Sequence, residues 1–173
     1  MNSVSHVVFA LAGILMLSST VAIADPPGDP KAVSNTNGEY MDASGTPTYN
    51  IAKDGTVDWY TNVGFVQYGA NCLACHGPDG LGSSYAPSLV DALKTLSYAD
   101  FTATVIQGKK DVNTSNDLVM PSFGENKNVM CYLDPIYIYL RARSTGALGR
   151  GRPEKMVAPP PEFEKSINAC FGL

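Results

Sequence analysis

Apolar positions along the chain fall into one unbroken run, a series of helical stripes, and long stretches with no period at all. The unbroken run is Val7 to Leu17, followed by Ala22-Ile23-Ala24 and then by Asp25-Pro26-Pro27. Eleven residues are too few to span a bilayer, and a small-x-small triplet before a polar, Pro-rich stretch reads as a signal-peptidase site. The expectation is a cleaved signal peptide over 1–24, export to the periplasm, and no membrane span once it is removed. The segment before the run holds neither Lys nor Arg, so the alternative is an uncleaved anchor.

Residues 25–56 are rich in Pro, Gly, Asn, Ser, Thr and Asp, with isolated Tyr40, Met41, Tyr49 and Ile51. No helical or alternating period runs through them, which predicts an irregular N-terminal arm closed by a turn at Asp54-Gly55. From Asp58 the pattern becomes helical. Trp59, Val63, Val66 and Ala70 form one stripe, while Gly64, Tyr68 and Cys72 recur every fourth residue on one face. A Gly inside a helix costs about 1 kcal/mol against Ala, and close approach of a second helix is the reason that would keep Gly64 there. A loop follows from Gly77 to Gly82, then a short helix over 88–96. Ser97-x-x-Asp100 opens a helix from Tyr98 to Gln107, with Gly108 as its stop. The stretch from Lys109 to Val119 reads as polar loop. Asp134-Pro135 reads as N-cap and first residue of a last helix, Ile136 to Ser144. Beyond Gly146 the Pro159-Pro160-Pro161 run predicts an extended tail. There is no internal repeat and no β-hairpin signal, so the fold class is all-α.

The leading helix ends in Cys72-Leu73-Ala74-Cys75-His76. C-x-x-C-H is the attachment motif for c-type haem. Two thiols three positions apart on one turn can add to both vinyl groups of a single haem, and the following His is then held under the macrocycle as proximal iron ligand. A thioredoxin-like dithiol would need a βαβ pattern and gives no role to the His. A zinc site would need a second ligand pair, and Cys131 and Cys170 lie far apart in sequence.

Charge changes the picture less. The net charge is −4, with six acids and two bases from Asp25 to Asp58 but four acids and seven bases from Asn126 onward. An acidic whole argues against nucleic acid. The asymmetry suggests a polarised docking surface, with a merely solvated basic tail as the plainer alternative. His6 leaves with the signal, so His76 is the sole histidine after cleavage and a second imidazole cannot ligate iron within one chain. Among Met41, Met120, Met130 and Met156, Met120 stands out because Pro121 follows it and Phe123 lies two places beyond the Pro. Pro121 stiffens the loop and so lowers the entropy lost when the thioether binds. The alternatives are five-coordinate iron, or Met130 as ligand.

With these residues in hand, 57–145 resembles a class I cytochrome c domain, through Gly64, Tyr68, Cys72 to His76, Pro87, Met120-Pro121 and Tyr139-Leu140. The resemblance implies crossed N- and C-terminal helices around one covalent haem, Gly64 and Tyr68 meeting Ile136 and Tyr139. It also implies that the Pro87 carbonyl accepts the proximal imidazole N–H. A narrower resemblance to cytochrome cL rests on Tyr49-Asn50-Ile51, Val57-Asp58-Trp59, Cys75 to Gly80, Tyr85-Ala86-Pro87, Asn126 to Asp134 and Tyr137 to Arg143. That family accepts electrons from periplasmic quinoprotein methanol dehydrogenases, calcium- or lanthanide-dependent, and passes them to a second cytochrome c. Some of its members carry calcium near the haem; no carboxylate cluster here demands it.

The expected assembly is therefore a signal over 1–24, an arm over 25–56, a cytochrome c domain over 57–145, and a Pro-rich tail over 146–173. The spare cysteines of an exported chain oxidise readily, and a Cys131–Cys170 disulfide would tie the tail back. Free thiols or an intermolecular link through Cys170 are the alternatives. The expected function is one-electron transfer without enzymatic activity. Its rivals are a general carrier without a dedicated dehydrogenase, and a five-coordinate haem enzyme or gas sensor.

Overall fold

The computed structural model describes residues 27–112 and 117–173; the expected signal peptide lies outside the described residues. Asp58 starts the first helix, α1 (Trp59–Asn71): its carboxylate accepts the Thr61 amide at 2.8 Å and the Thr61 hydroxyl at 2.6 Å. These bonds satisfy donors that the first turn leaves without an intrahelical partner. After α1 come the one-turn α2 (Leu73–His76), a 3-10 turn at Pro78–Gly80, α3 (Leu89–Ala92), α4 (Tyr98–Gln107), the one-turn α5 (Lys127–Met130), α6 (Leu133–Ser144) and α7 (Phe163–Phe171).

The centre of the molecule is the crossing of α1 over α6. At Gly64 a Cβ would lie 1.9 Å from the Pro135 carbonyl oxygen and 2.7 Å from Tyr139 Cβ, so no larger residue fits. Phe65 and Tyr68 then pack on Tyr139 with ring centroids 5.7 and 5.4 Å apart. Every residue from Pro135 to Arg143 is buried, because other elements cover α6 on all sides. That enclosure is why a simple apolar stripe describes it poorly.

Five expectations need correction. The arm is not irregular: β1 (Ser34–Thr36), β2 (Glu39–Met41) and β3 (Pro47–Thr48) form an antiparallel sheet in that order. Its first hairpin turns at Asn37-Gly38, both with positive φ, the Asn-Gly signal of a two-residue turn. The strands are too short and too evenly exposed to alternate visibly. The polar stretch after Gly108 is also a hairpin, β4 (Lys109–Val112) with β5 (Asp117–Met120). The tail contains α7, whose Phe163, Ile167 and Phe171 recur at helical spacing. Finally α6 begins at Leu133 rather than after Asp134, with Tyr132 in the cap position. Pro135 is then the third residue of the first turn, where its missing N–H leaves no helical bond unmade. The short helix expected over 88–96 is regular only through α3.

Arm and tail both close on this core. Arg141 of α6 is buried and donates to the Pro47 and Gly28 carbonyls at 3.0 Å each and to the Asp42 carboxylate at 2.8 Å. The tail runs beside Val57, which donates to the Lys155 carbonyl and accepts from the Val157 amide, both at 3.0 Å. Cys131 and Cys170 form a disulfide that joins α7 to the end of α5. Phe163 packs edge-on against Trp59 and Tyr60 of α1, at 5.8 and 5.3 Å.

Candidate haem site

Cys72 caps the end of α1 through its amide, which donates to the Tyr68 carbonyl at 2.9 Å, and the chain then makes one further turn through His76. Here the four-residue α2 ends at Gly77, whose φ of +72° and tight approach to the Gly82 carbonyl double the loop back on itself. Tyr68 reaches across to donate to the Gly77 carbonyl at 2.5 Å. The helix-crossing face and the attachment motif are thus locked to each other by one hydroxyl.

His76 is buried, and its Nδ1 lies 3.0 Å from the Pro87 carbonyl oxygen. A carbonyl only accepts, so Nδ1 carries the proton and the lone pair is left on Nε2. Cys72, His76 and Met120 line one cavity. Its walls are Phe101 and Val105 of α4, Leu133, Ile136 and Leu140 of α6, Leu89 of α3, Val129 of α5, and Leu96 and Phe123 from the connecting segments; Thr104 adds the one hydroxyl. Cys75 is exposed and does not line the cavity; Leu73 beside it is exposed too, as are Leu81 and Tyr85 in the following loop. The Ser83 hydroxyl donates to the Cys75 carbonyl and holds that loop in place. Burial, and then the neighbouring Cys75, push the free Cys72 thiol up to about 11.

Met120 is held by more than Pro121. It pairs with Lys109 at the open end of the hairpin, and the residues after it are stitched to the C-terminus of α4. Phe123 N donates to the Val105 carbonyl at 3.0 Å, Gly124 N to the Ile106 carbonyl at 3.2 Å, and the Ser122 hydroxyl to the same Ile106 oxygen at 2.6 Å. Met130, the other candidate, packs against the core beside the disulfide and lines a different groove.

Two arginines of the basic C-terminal stretch, Arg143 and Arg150, brace the attachment loop. Arg143, buried on α6, donates to the Asp79 carbonyl at 3.3 Å and to the Leu148 carbonyl at 2.7 Å. The Asp79 carboxylate takes the Gly151 amide at 2.8 Å and the Arg150 guanidinium at 3.0 Å. Partial burial opposes its charge, but these donors outweigh it and hold the Asp79 carboxyl below its ordinary range. Among the described residues no group of three or more His, Cys, Asp or Glu is placed to hold a metal ion.

The comparisons with known proteins agree on a cytochrome family. The family model described as cytochrome c oxidase, cbb3-type, subunit III matches residues 61–139. Cytochrome c-553I of Paracoccus denitrificans is 51% identical over 136 residues, 79% of this chain. Cytochrome c-555 of Methylococcus capsulatus (strain ATCC 33009 / NCIMB 11132 / Bath) is 37% identical over 100 residues, 57% of this chain and 75% of its own length. The crystal structure of the c-type cytochrome XoxG from Methylobacterium extorquens AM1 superposes with a TM-score of 0.76 at 46% identity, covering 82% of this chain and 86% of that one.

The chain belongs to the c-type cytochromes.

This cytochrome spans 60% of the length of the Paracoccus relative. As a member of the family it carries haem c bound covalently, and the site fits that group: an apolar cavity, a thiol at its wall, a second, exposed thiol three residues on, and an imidazole whose second nitrogen is already committed. The match to XoxG covers more of the chain than the stretch 57–145 can supply, so it reaches into the arm or the tail. Among the described residues no helix is long and apolar enough to cross a membrane.

Proposed function

We propose that this cytochrome is a periplasmic one-electron carrier, exported by a signal peptide over 1–24. In this reading Cys72 and Cys75 hold the haem by thioethers, and His76 and Met120 are its axial ligands. Gly64, Tyr68, Pro87, Pro121 and Tyr139 support them. The donor is a quinoprotein methanol dehydrogenase and the acceptor a further cytochrome c. The observation that carries the reading is the placement of His76 and Met120 on one apolar cavity, with His76 Nδ1 tied to the Pro87 carbonyl. The haem, when bound, supplies the reversible one-electron couple of its iron.

The chain's own contribution is orientation and exclusion. The Pro87 carbonyl fixes the imidazole tautomer and raises its basicity. The stitched segment after Met120 pre-positions the thioether, so little entropy is lost on ligation. The apolar walls keep water away, and with both His76 and Met120 holding the iron no position would be left for a substrate. The exposed Leu73, Cys75, Leu81 and Tyr85 around the attachment motif suit a brief, small interface of the kind redox partners make. The donor assignment is supported by the cytochrome cL resemblance, and by the reach of the XoxG match beyond the haem domain.

Mixing oxidised cytochrome anaerobically with a purified quinoprotein methanol dehydrogenase and methanol, and following haem reduction against cytochrome concentration and salt, tests this. Fast, saturable reduction is expected. Slow reduction that never saturates would overturn the dedicated donor and leave a general carrier.

A further inference from the structure

Behind the haem cavity, across Leu133, lies an open groove of about 490 Å³ between the N-terminal hairpin and α7. Two carboxyl groups from different elements meet there, Glu39 of β2 and Asp134 of α6. Glu39 Oε1 is buried with no hydrogen-bond partner, while Asp134 Oδ1 accepts the hydroxyl of Tyr98 from α4. Among the described residues, the remaining groups around the pair offer no compensating cation. Tyr60 of α1 is neutral, its phenol pushed up to about 12 by burial and then by the two carboxyls. Among the described residues Lys165 of α7 is the only basic side chain lining the groove, and it pairs with Glu162 at 3.4 Å.

Two adjacent carboxylates without a cation cannot both ionise cheaply, because one anion raises the cost of the other. A single proton between them supplies the donor that the pair otherwise lacks. Burial, followed by the neighbouring Asp134, pushes the Glu39 carboxyl up to about 7.

We propose that Glu39 and Asp134 share one proton that clasps the N-terminal hairpin to α6, and that its release to solvent as pH rises lowers the midpoint potential of the haem. The link is positional. Asp134 directly follows Leu133 and lies two positions before Ile136 in α6; both apolar residues line the haem cavity and Leu133 lines the groove as well, so a negative charge gained at the pair sits on the far side of that wall. In such a low-dielectric setting the charge favours the more positive, oxidised iron. Conversely, when the iron accepts one electron from the donor, the pair takes up part of a proton from solvent; no covalent bond forms or breaks.

The inference rests on the haem filling that cavity and not on the identity of the donor. The test is potentiometry of the haem-loaded protein from about pH 5 to about pH 9, a range that brackets an ionising carboxyl displaced this far. For the wild type, the oxidised fraction at fixed ambient potential should grow severalfold as pH rises. Glu39→Gln should flatten that curve, and Asp134→Asn should do the same, which covers the case in which one variant fails to fold. Carbon-13 NMR of the Glu39 carboxyl in the wild type should show it titrating well above an ordinary Glu. Equal pH slopes in wild type and variants, or a Glu39 carboxyl titrating at its ordinary value, would overturn the proposal.

Discussion

At the scale of single residues, the site depends on where lone pairs are free. His76 can present Nε2 to iron because Nδ1 donates to the Pro87 carbonyl, and a backbone acceptor does not depend on the proline ring. Met120 differs, since its thioether has no substitute on the cavity wall. Met120→Ala should therefore lower the midpoint potential, and its reduced form should bind carbon monoxide at neutral pH while the wild type does not. An unchanged potential, read by the same titration, rejects Met120 as ligand. Gly64 shows how a single side chain can be forbidden by packing rather than by conformation: its own backbone is helical, but the α6 carbonyl fills the space of a Cβ.

At the scale of elements, α6 is the strut to which the rest is fastened. It takes α1 on one face and the arm on another through Arg141, whose guanidinium meets one carboxylate and two carbonyls with almost no solvent contact. Removing one partner of a buried ion pair leaves the other unpaired and costs about 3–5 kcal/mol. Arg141→Ala should lose about that much in urea unfolding, and limited proteolysis should then cut the arm first. The pair also has a pH signature. Burial opposes the charge of Asp42, but hydrogen bonds from Ser44, Arg141 and Thr46 outweigh it and lower its carboxyl below the ordinary 3.8. A lowered folded value means the stabilisation is complete above the unfolded value and fades as pH falls through the folded one. Wild-type stability should thus fall in acid below pH 3.8, and Arg141→Ala should show less of that fall.

At the scale of the whole molecule, arm and tail turn a small haem domain into one cooperative unit. The Cys131–Cys170 disulfide closes a separation of 39 residues. Constraining a loop of that length in the unfolded chain is worth about 4 kcal/mol in the chain-entropy account. Cys131→Ser should lower the melting temperature accordingly, and a reductant should do the same to the wild type while leaving the variant unmoved. What the sequence by itself determined is the chemistry held in short spacings: the C-x-x-C-H turn, the Ser97 cap, Gly64 four residues before Tyr68, and Met120 ahead of its proline. These were legible because each is a local covalent or helical relation. The Asn37-Gly38 turn and the Phe163, Ile167, Phe171 spacing were equally local, yet were masked by the polar and Pro-rich stretches around them. Only the tertiary structure decided that Arg141 grips the arm, that Arg143 and Arg150 brace the attachment loop, and that Glu39 lies against Asp134. Those partners stand about 60 to 100 residues apart, and nothing in a charged residue's own neighbourhood says which distant group will share its burial.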